Sequence, residues 1–262
     1  MSRLLLLRSS EPVRLRGVLS RVPGLANAAA LSDVAVGQEE PAAAPDKTVQ
    51  LDVGFVIGGE PLLQRGRQDE TAAYRALAGL RTDQLMATVG TSPQGVFRYH
   101  HFMLAVAGQL GGQPGRSQLT ADLPLPLRDN LRGRSEAELL FHQVLTDLHD
   151  ADPAYLTASE LRTEVLAAVL GKALRRIVPS ESAPGVLLAL SHDEQVVIAR
   201  RGHGSLRFLS VTEPSSSGPS QQQTLVVGAT DGDALPSELA VVPEGQALAI
   251  ASRSSRPTLL SL

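Results

Sequence analysis

The chain of 262 residues contains no cysteine and no tryptophan, and aromatic residues make up only 3% of it. Without cysteine there is no disulfide, no thiolate metal site and no thiol nucleophile. Lysine is nearly absent as well, at Lys47 and Lys172 only, so arginine carries almost all of the positive charge. The formal net charge is −3 and no basic block is present, which argues against a broad nucleic-acid surface.

Long hydrophobic runs are missing too. No segment approaches the roughly 20 apolar residues that cross a bilayer, and the run Leu4–Leu7 is too short for the core of a signal peptide. Hydrophobic residues nevertheless amount to 43% of the chain, which is enough to bury a core of ordinary globular size. We therefore expect a cytoplasmic protein, with neither a membrane nor a nucleic acid among its partners.

Apolar runs of strand length form two blocks, one on each side of a helical block. The first block begins with a predicted central strand at Arg3–Arg8 and includes Val49–Ile57, Gln84–Val89 and Phe102–Val106, and the second extends from Val186 to Leu260. Strands grouped in this way predict an α+β layered domain rather than an alternating βαβ fold.

The helical block has clear start signals. Ser135–Glu138 and Thr157–Glu160 both match the capping box that opens a helix, and apolar residues follow each of them at helical spacing. We expect one domain over residues 1–262, with an irregular loop at 11–47 and a mobile loop at 214–223.

The common nucleotide, metal and triad motifs do not occur. The glycine-rich stretch at 108–115 has no Lys-Ser/Thr ending, so we predict a turn there rather than a phosphate cradle. His142 and His149 lie seven residues apart without an acidic ligand set, which favours a surface or boundary role over a metal site. The sequence Ser191-His192-Asp193 predicts a polar turn, because adjacency along the chain does not form a triad. We expect no metal and no cofactor.

A series of short motifs in a fixed order covers nearly the whole chain. They are Met1–Leu5, Asp52–Ile57, Leu85–Gly90, Pro93–Arg98, Leu104–Gly108, Arg132–Glu138 and Val242–Gly245. In this order and spacing the sequence resembles class II glutamine amidotransferases, most closely the branch that includes the ergothioneine-pathway γ-glutamyl amidohydrolases. The resemblance implies the N-terminal-nucleophile fold, a four-layer αββα sandwich in which the first strand is central.

The resemblance also implies a specific chemistry. In the family the second residue is a cysteine whose thiol attacks the glutamine amide, and the free α-amino group, with a pKa of about 8, acts as general base. An asparagine side chain and a glycine N–H stabilise the oxyanion of the intermediate. An arginine and an aspartate bind the carboxylate and the α-amino group of the substrate.

This chain departs from the family at most of those positions. Ser2 stands at the position of the nucleophile, Leu85 at that of the carboxylate-binding arginine and Ala107 at that of the oxyanion asparagine. Glu136 replaces the helix-start aspartate, whereas Gly108 is retained. The joint losses predict abandoned glutaminase chemistry and a structural, regulatory or partner-binding role, with another protein or a second copy of the chain as partner.

The remaining candidate residues each have two interpretations. Ser2 is either the nucleophile of an N-terminal-serine amidohydrolase that cleaves a γ-glutamyl or other amide, or only a small residue at a processed terminus. Arg98 either holds a ligand or bridges surface acids, and Gly108 supplies either an oxyanion N–H or only a backbone geometry. Glu136 lies in the first turn of a helix, where the dipole favours an acid anyway. A third hypothesis is a remodelled pocket that binds a glutamine-like ligand without turnover.

Overall fold

The computed structural model describes residues 2–19, 48–57, 59–69, 77, 79–90, 95–110, 120–133, 135–178, 185–214, 221–230, 239–251 and 256–262. The strands are β1 (Ser2–Arg14), β2 (Thr48–Ile57), β3 (Glu60–Asp69), β4 (Arg81–Gly90), β5 (Gly95–Tyr99), β6 (Phe102–Gly108), β7 (Val186–His192), β8 (Gln195–Arg201), β9 (Ser205–Pro214), β10 (Gln221–Thr230), β11 (Ala240–Val241), β12 (Gln246–Ile250) and β13 (Thr258–Ser261). The helices are α1 (Leu15–Leu19), α2 (Leu125–Asp129), α3 (Glu136–Ala151) and α4 (Thr163–Ile177), and a 3-10 turn lies at Pro153–Leu156. None of the helices in these ranges combines the length and the hydrophobicity that a membrane crossing requires.

The strands form two sheets, and all of the pairings are antiparallel. The first sheet has the order β11-β9-β10-β1-β4-β2-β3, and the second has the order β13-β12-β8-β7-β6-β5. The strand β1 is the fourth of seven, so the predicted central strand at the start of the chain is confirmed.

The apolar run at the start of β1 is explained by burial on both faces of the first sheet. Leu4 and Leu6 belong to a hydrophobic cluster between the two sheets, whereas Leu5 and Leu7 belong to a cluster on the opposite face. A strand covered on both sides needs apolar residues at every position rather than at alternate ones.

The helices α3 and α4 cover the second sheet on the side away from the first. Apolar residues of both helices pack into one cluster with β6 and β7, which contribute Phe102, Leu104, Leu188 and Leu190. The helix α3 begins where the sequence predicts it, because the Oγ of Ser135 accepts a hydrogen bond of 3.1 Å from the backbone N–H of Glu138. The order of layers described is therefore first sheet, second sheet, helices, which confirms a mixed α+β architecture.

The outer face of the first sheet is covered in part. Leu15 and Val18 of α1 and the buried Leu77 pack there against Leu5 and Leu7. The complete four-layer αββα sandwich remains a prediction, because residues 20–47 and 70–76 lie outside the described part of the chain.

Two predicted loops are shorter than expected. Residues 11–14 continue β1, and α1 follows at once, although the sequence predicts irregular chain from residue 11. The pairing with β4 shifts register between Arg8 and Val13, and Pro12, which has no N–H to donate, lies within that irregularity. Likewise Gln221 pairs with Pro214, so the strands β9 and β10 extend into the predicted mobile loop, of which 215–220 lie outside the described residues.

The prediction that the second capping box, Thr157–Glu160, opens a helix is wrong. Thr157 ends the 3-10 turn instead of starting a helix, and α4 begins only at Thr163, with no side-chain cap from Arg162. The local turn is specified by Asp152, whose carboxylate accepts a hydrogen bond of 2.9 Å from the N–H of Ala154, and by Pro153 at the first helical position. The chain between this turn and α4, residues 157–162, is not helical.

Candidate functional site

The beginning of β1 is the position at which the resemblance places a nucleophile. The backbone of Ser2 lies opposite Gly90 of β4, and Gly90 also lies opposite Gln50 of β2. The next row on the same face of these three strands consists of Leu4, Thr88 and Asp52. The start of the chain is therefore next to a short stretch of polar residues at one end of an apolar sheet.

Leu85 does not approach this end of the sheet. It lies opposite Leu7, which is five residues along β1 from Ser2, or about 17 Å at the usual rise of a strand. Its side chain is fully buried in the outer cluster with Leu5 and Val53. The structure thus places an apolar core residue at the position matched to the carboxylate-binding arginine.

Ala107 is fully buried as well. Its methyl group belongs to the cluster between the two sheets, together with Leu4 and Leu187. A methyl group donates no hydrogen bond, so the position matched to the oxyanion asparagine offers no side-chain donor.

Gly108 is required by the geometry of the backbone. Its φ is +111°, and a Cβ atom added there would lie 2.0 Å from the carbonyl oxygen of Gly185 and 2.9 Å from the Cα of Val186. Only glycine adopts this conformation and tolerates this approach of two strands. The structural interpretation of Gly108 is therefore sufficient to explain the residue.

Arg98 is held by a hydrogen bond to a neighbouring strand, whereas the side chain of Glu136 is exposed. The Nη1 of Arg98 donates a hydrogen bond to the carbonyl oxygen of Pro61 on β3, so the side chain ties two edge strands together rather than bridging surface acids. Glu136 is exposed in the first turn of α3, where the helix dipole stabilises an acid.

The histidines differ from expectation in one respect. His142 is only 2% exposed, whereas the sequence predicts a surface or boundary position. It lies on the apolar side of α3, and its Nδ1 is 2.9 Å from the carbonyl oxygen of Glu138 one turn earlier. His149 is half-buried beside Asp150, and within the described residues no group of acids and histidines could hold a metal ion.

Of the predicted turn Ser191-His192-Asp193, only Asp193 lies in a turn, because Ser191 and His192 are the last two residues of β7. His192 ends β7 and is fully buried, and its two ring nitrogens contact the carbonyl oxygen of Ala158 at 3.0 Å and the Oε1 of Gln195 at 3.3 Å. Asp193 lies in the turn with a φ of +47°. Because a backbone carbonyl occupies the Nε2 of His192, this histidine is part of the core and not of a triad.

Asp52 is a buried acid that the motif analysis did not single out. Its Oδ1 accepts a hydrogen bond of 2.6 Å from Gln50, and its Oδ2 lies 3.7 Å from the Nε of Arg65. Burial raises the pKa of Asp52, and the bond from Gln50, the charge of Arg65 and the N–H of Val96 oppose that shift in part. Its only signal in the sequence is an acid within an apolar strand.

A cavity of about 900 Å³ opens beside this acid, between β3, β5 and the first turns of α3. Its polar lining contains more arginine than acid, and the described residues in it are Arg65, Arg98, His100, Asn130, Arg132, Ser135, Glu138 and His142. Its apolar lining includes Leu63 and three aromatic rings, namely Phe97, Tyr99 and Phe141. Of the predicted site residues Arg98, Gly108 and Glu136, only Arg98 is among the described residues that line this cavity.

The loop that precedes α3 forms one rim of the cavity. The Oε1 of Glu138 accepts a hydrogen bond of 2.9 Å from the backbone N–H of Arg132 instead of returning to Ser135. A Cβ atom at Gly133 would lie 2.3 Å from the other carboxylate oxygen, so a larger residue there would displace the carboxylate of Glu138. The Arg-Gly-x-Ser-x-x-Glu pattern in the sequence is therefore a folding unit of loop and helix.

Neither a family model nor a curated protein matches the sequence. Solved structures match it over nearly its whole length, among them a glutamine aminotransferase class-II domain protein from Silicibacter pomeroyi, with a TM-score of 0.58, 15% identity and coverage of 99% of this chain and 98% of that chain. The fold is that of a class II glutamine amidotransferase domain. At this level of identity the two chains share the fold and little of the sequence.

Two further structures show the same class II amidotransferase fold. A predicted glutamine amidotransferase from Pseudomonas aeruginosa has a TM-score of 0.53, 11% identity and coverage of 100% of this chain and 96% of that chain. The glutamine phosphoribosylpyrophosphate amidotransferase from B. subtilis, complexed with ADP and GMP, has a TM-score of 0.55 and 12% identity. This chain matches over 99% of its own length but only 49% of that enzyme.

Proposed function

We propose that the chain is a class II glutamine amidotransferase-like protein that no longer hydrolyses glutamine and acts as a structural, regulatory or partner-binding subunit. One observation carries the proposal. The two positions at which the resemblance implies polar substrate-binding groups, Leu85 and Ala107, are apolar and fully buried in hydrophobic clusters. The proposal includes a position near the ergothioneine-pathway branch of the family, which the order of the motifs supports.

The loss at Ala107 is large enough to matter by itself. Removal of one oxyanion donor typically costs about 3–4 kcal/mol of transition-state stabilisation, or a factor of roughly 10²–10³ in rate. The loss of a bidentate arginine removes recognition of the substrate carboxylate in addition. A serine at position 2 is a weaker nucleophile than the thiol of the family, so three separate effects act in the same direction.

The direct test is glutamate release from free glutamine by the purified chain, with Met1 removal checked by intact mass. The proposal predicts the same background rate for the wild type and for Ser2→Ala. Hydrolysis at a rate typical of the family, abolished by Ser2→Ala, would show that the proposal is wrong.

A second candidate function is an N-terminal-serine amidohydrolase. It is favoured by the position of Ser2 at the start of the central strand, where removal of Met1 would place a free amine with a pKa of about 8 beside the hydroxyl. A panel of γ-glutamyl and acyl amides tests this function, and Ser2→Ala must abolish any activity found. Retention of Met1 would exclude it, because the base would then be misplaced.

Binding of a glutamine-like ligand without turnover is measured separately. Thermal-shift titration with glutamine and with glutamate detects such a ligand, since a compound that binds only the folded state raises the midpoint of unfolding. An unchanged unfolding midpoint at millimolar glutamine or glutamate argues against binding of a glutamine-like ligand. The proposal of a structural, regulatory or partner-binding subunit does not depend on that result.

A further inference from the structure

The cavity between β3, β5 and α3 has features that glutamine chemistry does not use. Leu85 and Ala107, two of the positions matched to catalysis, are not among the described residues that line it. The charge of Arg65 is offset by Asp52, whose Oδ2 lies 3.7 Å from its Nε, so Arg98 and Arg132 face the single carboxylate of Glu138 and leave the lining positive, although the net charge of the chain is −3. Such a local excess of guanidinium groups attracts an anion.

Two of these arginines are held in place before any ligand arrives. Arg65 donates to the carbonyl oxygen of Val96, and its guanidinium lies 4.9 Å above the ring centre of Phe97. Arg98 is fixed in the same way by the carbonyl oxygen of Pro61. A guanidinium has five N–H donors, so each side chain keeps donors for a carboxylate or phosphate after these bonds are made.

Arg132 is the cation that nothing in the described part of the chain engages through its side chain. Only its backbone N–H is bonded, to Glu138, and that bond fixes the loop from which the guanidinium projects. Its side chain is exposed on the rim of the cavity.

His142 adds a buried polar group in the wall. Its Nδ1 must donate to the carbonyl oxygen of Glu138, because a carbonyl only accepts, and a neutral ring then leaves Nε2 as an acceptor. That Nε2 is buried and has no hydrogen-bond partner among the described residues. A buried acceptor without a partner is costly, so a hydroxyl or N–H from a ligand would stabilise it.

The apolar part of the wall completes the description of the ligand. The rings of Phe97 and Phe141 are 6.3 Å apart and inclined by 29°, which gives a largely apolar surface beside the arginines. We propose that this cavity binds an anionic small molecule with an aromatic body, whose carboxylate or phosphate contacts Arg132 and Arg98 and whose hydrogen-bond donor reaches His142. The proposal uses Arg98, which the sequence already offers as a ligand-binding candidate, but it requires no group at positions 2, 85 or 107, so it does not depend on glutamine hydrolysis.

Calorimetric titration with benzoate, phenyl phosphate and uncharged benzyl alcohol tests the anion site and distinguishes a carboxylate from a phosphate. Saturable binding of at least one anion in the millimolar range or tighter is expected, with none of benzyl alcohol. Arg132→Gln keeps the backbone bond to Glu138 and is expected to weaken binding about tenfold or more, since it removes a charge-assisted hydrogen bond. The matched control is Arg128→Gln on α2, which removes the same charge outside the lining and should leave the affinity within about twofold.

The role of His142 is tested with 4-hydroxybenzoate. Because its hydroxyl can donate to Nε2, 4-hydroxybenzoate should bind the wild type more tightly than benzoate does. The same advantage is expected for His142→Gln, whose amide keeps a polar group near the place of Nε2. His142→Asn keeps a group near Nδ1 only, so the advantage over benzoate should disappear. A purely structural histidine would leave the ratio of the two affinities unchanged.

Three results would overturn the proposal. The first is the absence of saturable binding of either anion at millimolar concentration. The second is equal affinity of Arg132→Gln and the wild type for the anion. The third is an equal ratio of the affinities for 4-hydroxybenzoate and benzoate in the two His142 variants. If a variant fails to fold, chemical-shift mapping on the wild type replaces it. Ligand-induced shifts must then include Arg132 and His142 and leave the distant turn at Gly245 unmoved, and the converse pattern refutes the site.

Discussion

Gly108→Ala tests whether the backbone alone explains the retained glycine at the end of β6. A φ of +111° costs a residue with a side chain about 1–3 kcal/mol. The added Cβ would also lie 2.0 Å from the carbonyl oxygen of Gly185, so the pairing of Gly108 with Val186 must open by more than 1 Å to restore about 3.4 Å of ordinary contact. We expect the free energy of unfolding to fall by about 3 kcal/mol or more.

The assay is urea unfolding followed by far-ultraviolet circular dichroism, because the chain has no tryptophan to report by fluorescence. Gly66→Ala is the matched control: it lies in β3, and its added Cβ would meet nothing within 4 Å. That variant should unfold within about 0.5 kcal/mol of the wild type or be slightly more stable. If Gly108→Ala were as stable as Gly66→Ala, the geometric account of Gly108 would be refuted, and a role for the glycine in catalysis would again need to be considered.

Three further substitutions test separate parts of the account. Ser135→Ala removes the cap of α3 and should cost about 1 kcal/mol, seen as a lower midpoint of thermal unfolding; an unchanged midpoint contradicts the capping contact. Leu85→Arg restores the residue type that the resemblance implies but buries an unpaired charge. We therefore expect the free energy of unfolding, measured in urea, to fall by about 4 kcal/mol or more. A variant as stable as the wild type would contradict the position of Leu85 in the core. Asp52→Asn tests pH dependence. Because burial raises the pKa of Asp52, the folded state holds the proton of this carboxyl more tightly than the unfolded state does. The wild type therefore loses stability from this group as pH rises from about 4 through the raised pKa. The free energy of unfolding of Asp52→Asn relative to the wild type should therefore increase over that range and then level off, and a decrease would refute the assignment.

The strands and the first long helix were predictable because their signals are local. The run Leu4–Leu7 could only be a strand buried on both faces, and the cap at Ser135 fixes the start of α3. The continuation of β1 through Pro12 was not predictable, because it depends on pairing with β4 across a register shift. The late start of α4 was missed for a related reason, since the turn at Pro153 competes with the Thr157 signal.

The site was less accessible to sequence analysis than the fold. The burial of His142 on α3 and the contact of Arg65 on β3 with Phe97 on β5 arise from packing between layers, and no spacing along the chain encodes them. The contact of Arg65 with Asp52 is a direct cross-strand pair of the β2–β3 hairpin. The motif around Arg132 was visible, but its role as a rim held by Glu138 emerges only when the loop folds back on α3. Motif order therefore predicts the family-like fold, whereas the chemistry of the cavity depends on long-range packing.

The most direct measurement of the central claim is glutamate release from glutamine by the Ser2→Cys variant with Met1 removed. This variant restores the nucleophile and leaves Ala107 and Leu85 in place. If the site is dismantled at several positions, the variant remains inactive, because the missing oxyanion donor alone lowers the rate by roughly 10²–10³. Glutamine hydrolysis at a family-like rate by Ser2→Cys would contradict the account, since it would show that the rest of the active site is intact and that only the nucleophile has changed.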